Sequence, residues 1–431
     1  MSVALSHDSK ALTFADLTTM GVGGRIEAFI RPTSRVGLIE AVEEADSKRL
    51  PLAVIGGGAN LMPTDVDFSG IVVRDTRQDI SLPDEATPVS SGADRVHVNA
   101  TAGTNWDDLV SFCVRIGLSG IEALSGIPGT VGASVVQNIG AYGCEVGQVV
   151  DTIEVWDRQL KVTDYLRADR LDFGYRTSLL KRTMYRSPAV PDGTFFPTPR
   201  YVVLSVTLAL VHRRSAPVVS DQLAGALGAQ PGAVMDIDAI RRAVLSIRAA
   251  KCMLEDPRRY ANPWMAGCRR ASELSEALDD ASDLMATPPE DQVEPADPAD
   301  HTAREDLLLN RHSCGSFFTN PLVDRQTAAA LPDEAPRFPA PRDPSDPQAG
   351  EGRVKVSAAW LIDHAGFHKG YRLAAGAPAS LSTVHTLALT NRGGATASDL
   401  AALARTIQSG VESTFGIHLV PEPVTPGIDL S

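Results

Sequence analysis

The sequence is poor in cysteine, short of basic charge and free of any long apolar run, and each shortage removes a class of protein. Its five cysteines (Cys113, Cys144, Cys252, Cys268 and Cys314) are odd in number and never fall in Cys-x-x-Cys spacing. That pattern argues against a disulfide framework and against a zinc site. The longest apolar run, 201–211, is interrupted by Ser205 and Thr207. It is far short of the roughly 18 residues a membrane helix needs. The first ten residues carry no basic stretch followed by an apolar one, so no secretory signal is expected. Lysine and arginine number 40 against 53 aspartates and glutamates, a net charge of −13. Such a balance gives no phosphate-backbone footprint, and nucleic acid is not expected as a partner. The expectation is a cytoplasmic protein of a reducing compartment, with no membrane partner.

What is present is a long chain with ordinary globular composition. Its 431 residues suggest about three domains at roughly 150 residues each. Apolar periodicity predicts helices over 38–46, 106–116, 237–250, 356–364 and 397–409, and strands over 52–55, 70–73, 96–100, 149–156 and 201–211. The mixture reads as α+β, with a glycine-rich first half and a later half carrying polar clusters. Twelve carboxylates lie between Glu273 and Asp306, with Arg304 as the one opposing base. Four prolines and no aromatic residue accompany them, so this stretch cannot bury enough apolar surface to offset its ordering entropy. A disordered acidic insertion is therefore expected at about 257–309. His364 and His368 have the spacing of a zinc helix, but the glutamate of His-Glu-x-x-His is missing and Gly366 sits between them. No metal site is expected there.

Two glycine clusters carry the first functional signal. Gly56, Gly57, Gly58, Ala59, Asn60 and Leu61 follow a predicted strand, as a phosphate-binding loop would. A Rossmann fingerprint needs another glycine where Leu61 stands, and a P-loop needs Gly-Lys-Ser/Thr, so neither standard nucleotide fold fits. The second cluster, 125–143, places small residues at Gly126, Gly129, Gly132, Ala133, Gly140, Ala141 and Gly143. Glycine and alanine at that density let a flat ligand touch the backbone, and free amides can hold a diphosphate or a ring carbonyl. A tightly packed, turn-rich loop remains the plain alternative.

The motifs Gly56-Gly-Gly-Ala-Asn-Leu61, Gly126-Ile-Pro-Gly-Thr-Val-Gly-Ala133, Asn138-Ile-Gly-Ala-Tyr-Gly143 and Phe173-Gly-Tyr-Arg-Thr-Ser178 occur in one chain with Gly315-Ser-Phe-Phe-Thr-Asn-Pro321, Trp360-Leu-Ile-Asp363 and Asn391-Arg-Gly-Gly-Ala-Thr396. Together, in this order from about 18 to 422, they resemble the UDP-N-acetylenolpyruvoylglucosamine reductase family, in an actinobacterial-like variant. The resemblance implies a vanillyl-alcohol-oxidase type of FAD-binding domain made of two subdomains, drawn here at 1–75 and 76–215, and an α/β substrate-binding domain at 216–431. It implies noncovalent FAD, NADPH as co-substrate, the enolpyruvyl ether of a UDP-sugar as substrate, a place in peptidoglycan precursor synthesis, and action as a monomer.

The resemblance also implies roles for particular residues. Arg176, Ser316 and Glu422 match catalytic positions. Gly56, Gly57, Gly58, Ala59, Asn60, Leu61, Gly126, Ile127, Pro128, Gly129, Thr130, Gly132, Ala133, Ile139, Gly140 and Ala141 match cofactor contacts. Tyr175, Arg248, Lys251, Asn320 and Lys355 match substrate contacts. Taken singly, Arg176 is an ordinary surface arginine, Ser316 a turn hydroxyl and Glu422 a loop acid; only their joint order favours function. The chain departs from the family at Ser220, where a tyrosine often follows a Pro-Val pair, and after Glu422, where an arginine is usual. Two alternatives remain: another FAD oxidoreductase of the same fold acting on an alcohol or hydroxy acid, and a flavin-binding protein that has lost catalysis.

Overall fold

A computed structural model describes residues 11–83, 95–184, 199–269, 306–340 and 352–430. The first layer is a parallel sheet in the order Ile26–Ile30, Phe68–Val73, Leu52–Val54. Parallel neighbours need a crossover, and the helix Arg35–Ser47 supplies it. Ser34 starts that helix by accepting a hydrogen bond from the Gly37 amide. Its apolar residues Leu38, Ala41, Val42 and Ala45 are buried with Leu52, Ile71 and Val73 of the first sheet and with Trp156, Val202 and Leu204 of a second.

That second sheet is antiparallel, in the order Val162–Arg167, Val150–Asp157, Tyr201–His212, Arg95–Thr101, Ile80–Ser81. Its long strand Tyr201–His212 shifts register between Val203 and Ser205. An extra residue at a bulge reverses which parity faces a given side. Accordingly Tyr201 and Val203 before the shift, and Val206, Leu208 and Leu210 after it, join the same core. The helices Trp106–Arg115 and Val131–Gln137 pack into that core. Asn105 caps the former by accepting from the Asp107 and Asp108 amides, and Gly117 follows its end with φ of 80°.

The helix Ile237–Ala250 has the bounds its periodicity predicts. Its stripe of Ile237, Ile240 and Val244 belongs, with Ala216, Val218 and Leu223, to the core of the second sheet. The domain border expected at 216 therefore does not coincide with a change of core. An amphipathic stripe announces that it needs an apolar partner but not which one, and here the partner is the preceding sheet.

A third core gathers Phe317, Phe318, Leu361, Ile362, Leu400 and Ile407, joined from the first part by Met20, Val22 and Met62. It holds the helices Ala358–His364 and Ala397–Phe415 and two small antiparallel sheets. The first of these helices starts later than predicted, because Val356 closes the strand Arg353–Val356 and Ser357 caps the turn. The second runs past the predicted 409 to Gly416, which ends it at φ of 66°.

Most of the acidic insertion, 270–305, lies outside the described residues. Its expected start at 257 is corrected. Asp256 caps the short 3-10 helix Pro257–Ala261, and Tyr260, Met265 and Cys268 are buried with Leu12, Phe14, Ile26 and Val72. Residues 257–269 bring aromatic side chains, which 273–306 lacks, and Tyr260 and Trp264 join that core. Its expected end moves as well, since Leu309–Arg311 forms a 3-10 turn whose central residue, Asn310, is buried. Among the described residues no helix is long and apolar enough to cross a membrane.

Candidate active site

A cavity of about 860 Å³ lies where the two glycine clusters meet the third core. Residues 56–61, 127–130, Gly132, Ala133 and 139–141 line it. A Cβ on Gly57 would stand 2.7 Å from the Gly129 Cα, so the two loops touch backbone to backbone. Gly129 itself has φ of +132°, and a Cβ there would meet nothing within 4 Å. Its open side faces the cavity. This is the cradle a large flat cofactor requires, with two backbones that approach it unshielded by side chains.

Gly126 is the exception among the expected cofactor contacts. It does not line the cavity; its amide donates to Asp107 Oδ1 at 2.6 Å, its carbonyl accepts from Arg248 Nε at 3.0 Å, and a Cβ would press on Leu254 and Leu245. Gly126 is a glycine because side chains crowd it, with φ of +67°.

The polar wall is built by three segments. Arg176 sits in a turn with φ of 55°, an uncommon conformation for a side-chain-bearing residue. Its guanidinium donates to the Gly140 carbonyl at 2.6 Å and the Asn138 carbonyl at 3.4 Å, while its Nε lies 2.9 Å from Glu422 Oε1. The Glu422 amide donates to the Phe317 carbonyl at 2.8 Å, which ties the glutamate to the residue after Ser316. Phe317 and Phe318 are fully buried and anchor that segment. The same closing segment holds the first glycine loop: the Val424 amide donates to the Asn60 carbonyl at 3.0 Å, and the Met62 amide to the Val424 carbonyl at 2.9 Å. Arg176, Ser316 and Glu422 all line the one cavity.

The five expected substrate contacts separate. Tyr175, Lys355 and Asn320 group beside Arg176: the Lys355 ammonium lies 5.1 Å from the Tyr175 ring centroid and the Arg176 guanidinium 5.4 Å from it. Burial lowers the Lys355 pKa, with Glu145 opposing and Arg176 adding to the shift. Arg248 lines the cavity directly. Lys251 does not line it; its ammonium donates to Gln222 Oε1 at 3.3 Å.

Beneath the second glycine loop is an ion pair that sequence reading missed. Arg241 Nη1 lies 2.7 Å from Asp107 Oδ1, the atom that also receives the Gly126 amide. Burial would raise the Asp107 carboxyl, but Arg241 and that amide bring it down to about 2. A depressed folded pKa contributes stability that is present above pH ~4 and is lost as pH falls through about 2. Arg241→Met should therefore cost about 2 kcal/mol of unfolding free energy in urea at neutral pH. The gap from wild type should close as pH falls toward 2. A gap unchanged across that range would assign the loss to packing.

Other residues in and behind this wall carried no local signal. Arg259 donates to the Leu17 and Gly57 carbonyls, each at 2.9 Å, so the 257–269 segment clips the first glycine loop from outside. Gln137 and Lys181 join the Arg176–Glu422 pair. Neither stands in a pattern that single-sequence reading can pick out.

Fold and cavity together define a protein of the α+β class whose glycine loops form a site for a large flat cofactor. Residues 26–163 match the family model described as FAD binding domain, and residues 307–425 match UDP-N-acetylenolpyruvoylglucosamine reductase, C-terminal domain. A UDP-N-acetylenolpyruvoylglucosamine reductase of Thermobifida fusca is 38% identical over 98% of this chain and 99% of its own length. One of Corynebacterium glutamicum strain R is 39% identical over 98% and 95%. Identity at that level over the whole chain settles the family: the chain belongs to the UDP-N-acetylenolpyruvoylglucosamine reductases. The solved structure of the Thermus caldophilus reductase, 21% identical, covers 96% of this chain and 98% of its own with a TM-score of 0.51, and shows the same fold.

Proposed function

We propose that this chain reduces the enolpyruvyl ether of UDP-N-acetylglucosamine to UDP-N-acetylmuramate with electrons from NADPH, in the supply of peptidoglycan precursors. The observation that carries the reading is the convergence of Arg176, Glu422 and Ser316 on one cavity that the two touching glycine loops also line. FAD held against residues 56–61, 127–130, Gly132 and Ala133 would supply two-electron chemistry there, coupling oxidation of NADPH to reduction of the enolpyruvyl double bond. Every other task falls to the chain.

Hydride arriving at the carbon beta to the carboxylate leaves an enolate, whose charge needs a fixed cation. Arg176 fits, because arginine keeps its charge under all working conditions and its guanidinium is already oriented by two backbone carbonyls. Glu422 holds the remaining side of that guanidinium. Ser316 supplies the proton to the alpha carbon, completing addition of one hydride and one proton across the double bond. A serine hydroxyl is a weak acid in water, so it serves only where the site drives the proton toward the carbanion. Tyr175, Lys355 and Asn320 on one flank, with Arg248 within, hold the sugar and its diphosphate; Lys251 stands further out. We assign a monomer in the cytoplasm, with no nucleic-acid or membrane partner.

The test is direct. Purified protein should be yellow, bleach with NADPH under anaerobic conditions, and recover its colour when the enolpyruvyl sugar is added. Bleaching by a simple alcohol or hydroxy acid, with colour regained in oxygen and not with the UDP-sugar, would replace this reading with that of an oxidase.

A further inference from the structure

Behind the Arg176–Glu422 pair stands a lysine that the reaction as described does not use. Lys181 lies on the short helix Leu179–Arg182. Ser178 fixes that helix, since its hydroxyl accepts from the Lys181 amide at 3.2 Å and donates to the Val136 carbonyl at 2.7 Å. The Lys181 ammonium donates to Gln137 Oε1 at 2.7 Å and to the Arg176 carbonyl at 3.2 Å. Gln137 in turn donates through Nε2 to Glu422 Oε1 at 3.4 Å, the same oxygen that faces Arg176 Nε.

We propose that Lys181 is a positioning residue for hydride acceptance and protonation, acting through the Gln137 amide and the Arg176 backbone rather than by touching substrate. The proposal rests on the reading of function given above. A primary amide has one accepting end and one donating end. An ammonium only donates, so Lys181 compels Gln137 to turn its oxygen inward and its NH2 toward Glu422. Were the amide reversed, its oxygen would oppose the carboxylate, and the partner of Arg176 would be displaced. The second bond holds the carbonyl of a residue whose own backbone is in the left-handed region, a conformation that persists only where its surroundings enforce it. One cation thus fixes both members of the pair.

The charge state of Lys181 then matters. Burial pulls its pKa down to about 8, with Arg176 on the 173–178 turn adding to the shift and Glu422 on the closing segment opposing it. A neutral amine accepts as well as donates, so above that pH the amide is free to reverse.

The experiment uses holoenzyme and separates binding from rate. Titrating oxidised enzyme with the enolpyruvyl sugar and following the flavin absorbance gives Kd; anaerobic rapid mixing gives reoxidation of the NADPH-reduced flavin. Lys181→Met should leave Kd within about twofold and slow reoxidation about 10²-fold, the cost of a catalytic group misplaced by about 1 Å. Gln137→Leu should match it, and the double variant should be no slower than either single one. Lys181→Arg, which also only donates, should recover most of the rate and lack the decline expected of wild type as pH rises through about 8. Losses that multiply in the double variant, or a raised Kd with unchanged rate, overturn the proposal. Should Lys181→Met fail to retain flavin, Lys181→Gln, uncharged but still hydrogen-bonding, decides the same question on the same two measurements. A wild-type enzyme whose flavin is not reoxidised by the sugar would instead remove the functional reading itself.

Discussion

In Ser316→Ala, bleaching of the flavin by NADPH should proceed at the wild-type rate while reoxidation by the enolpyruvyl sugar slows by about 10²–10⁴. The asymmetry follows from where the hydroxyl is needed. Hydride delivery from NADPH calls for no proton at the sugar, whereas product formation stalls without one. The substitution removes a single oxygen and leaves its surroundings in place. Gly315 keeps its φ of 72°, Phe317 and Phe318 remain buried, and the Phe317 carbonyl still holds the Glu422 amide. Substrate affinity should therefore persist, and the defect should fall on one half-reaction. Rapid mixing in an anaerobic cell measures both halves in one sample. Reoxidation at the wild-type rate would show that the proton comes from another group, and Glu422, whose backbone is bonded beside Ser316, would be examined next.

A second large effect is expected at Gly129. Gly129→Val should yield a folded protein that purifies without colour. A Cβ at this position meets no protein atom within 4 Å, so the protein offers no clash of its own. The branched side chain would project into the cavity and occupy space the cofactor needs. The φ of +132° adds a strain of about 1–3 kcal/mol for any residue other than glycine. Gly129→Ala separates the two effects, since it carries nearly the same backbone strain with far less bulk and should retain part of the flavin. The ratio of absorbance at the flavin and protein bands reports occupancy, and circular dichroism reports folding. Full flavin in Gly129→Val would place the cofactor elsewhere.

Local patterns were the legible part of this chain. The helix Trp106–Arg115 announces itself through apolar residues at helical spacing, and Ile237–Ala250 through its apolar stripe. Both signals are made within one element. What required partners distant in sequence was hidden. The stripe of Ile237, Ile240 and Val244 did not say that its core was that of the preceding sheet. The run Arg258-Arg-Tyr-Ala-Asn-Pro-Trp264 reads as polar loop until Tyr260 is seen to close a core formed by the first 72 residues. Among the glycines, density alone could not distinguish Gly129, open toward a cavity, from Gly126, pressed by Leu245 and Leu254. The family motifs name Arg176, Ser316 and Glu422, but Lys181 and Gln137 emerge only when a short helix is laid against its neighbour.

The packing of 257–269 also dictates when the amino-terminal part of the chain can be completed. Leu12, Phe14, Ile26 and Val72 form one face of the first sheet's core, and Tyr260, Met265 and Cys268 cover it. During synthesis the strands emerge early, while their cover follows nearly 200 residues later. At about 5–20 residues per second that interval lasts roughly 10–40 seconds. Through that interval the nascent sheet presents an apolar face with no native partner, the condition under which chains aggregate or recruit chaperones. Its last contacts close across a long loop, which makes this a slow, late event in folding rather than an amino-terminal nucleus.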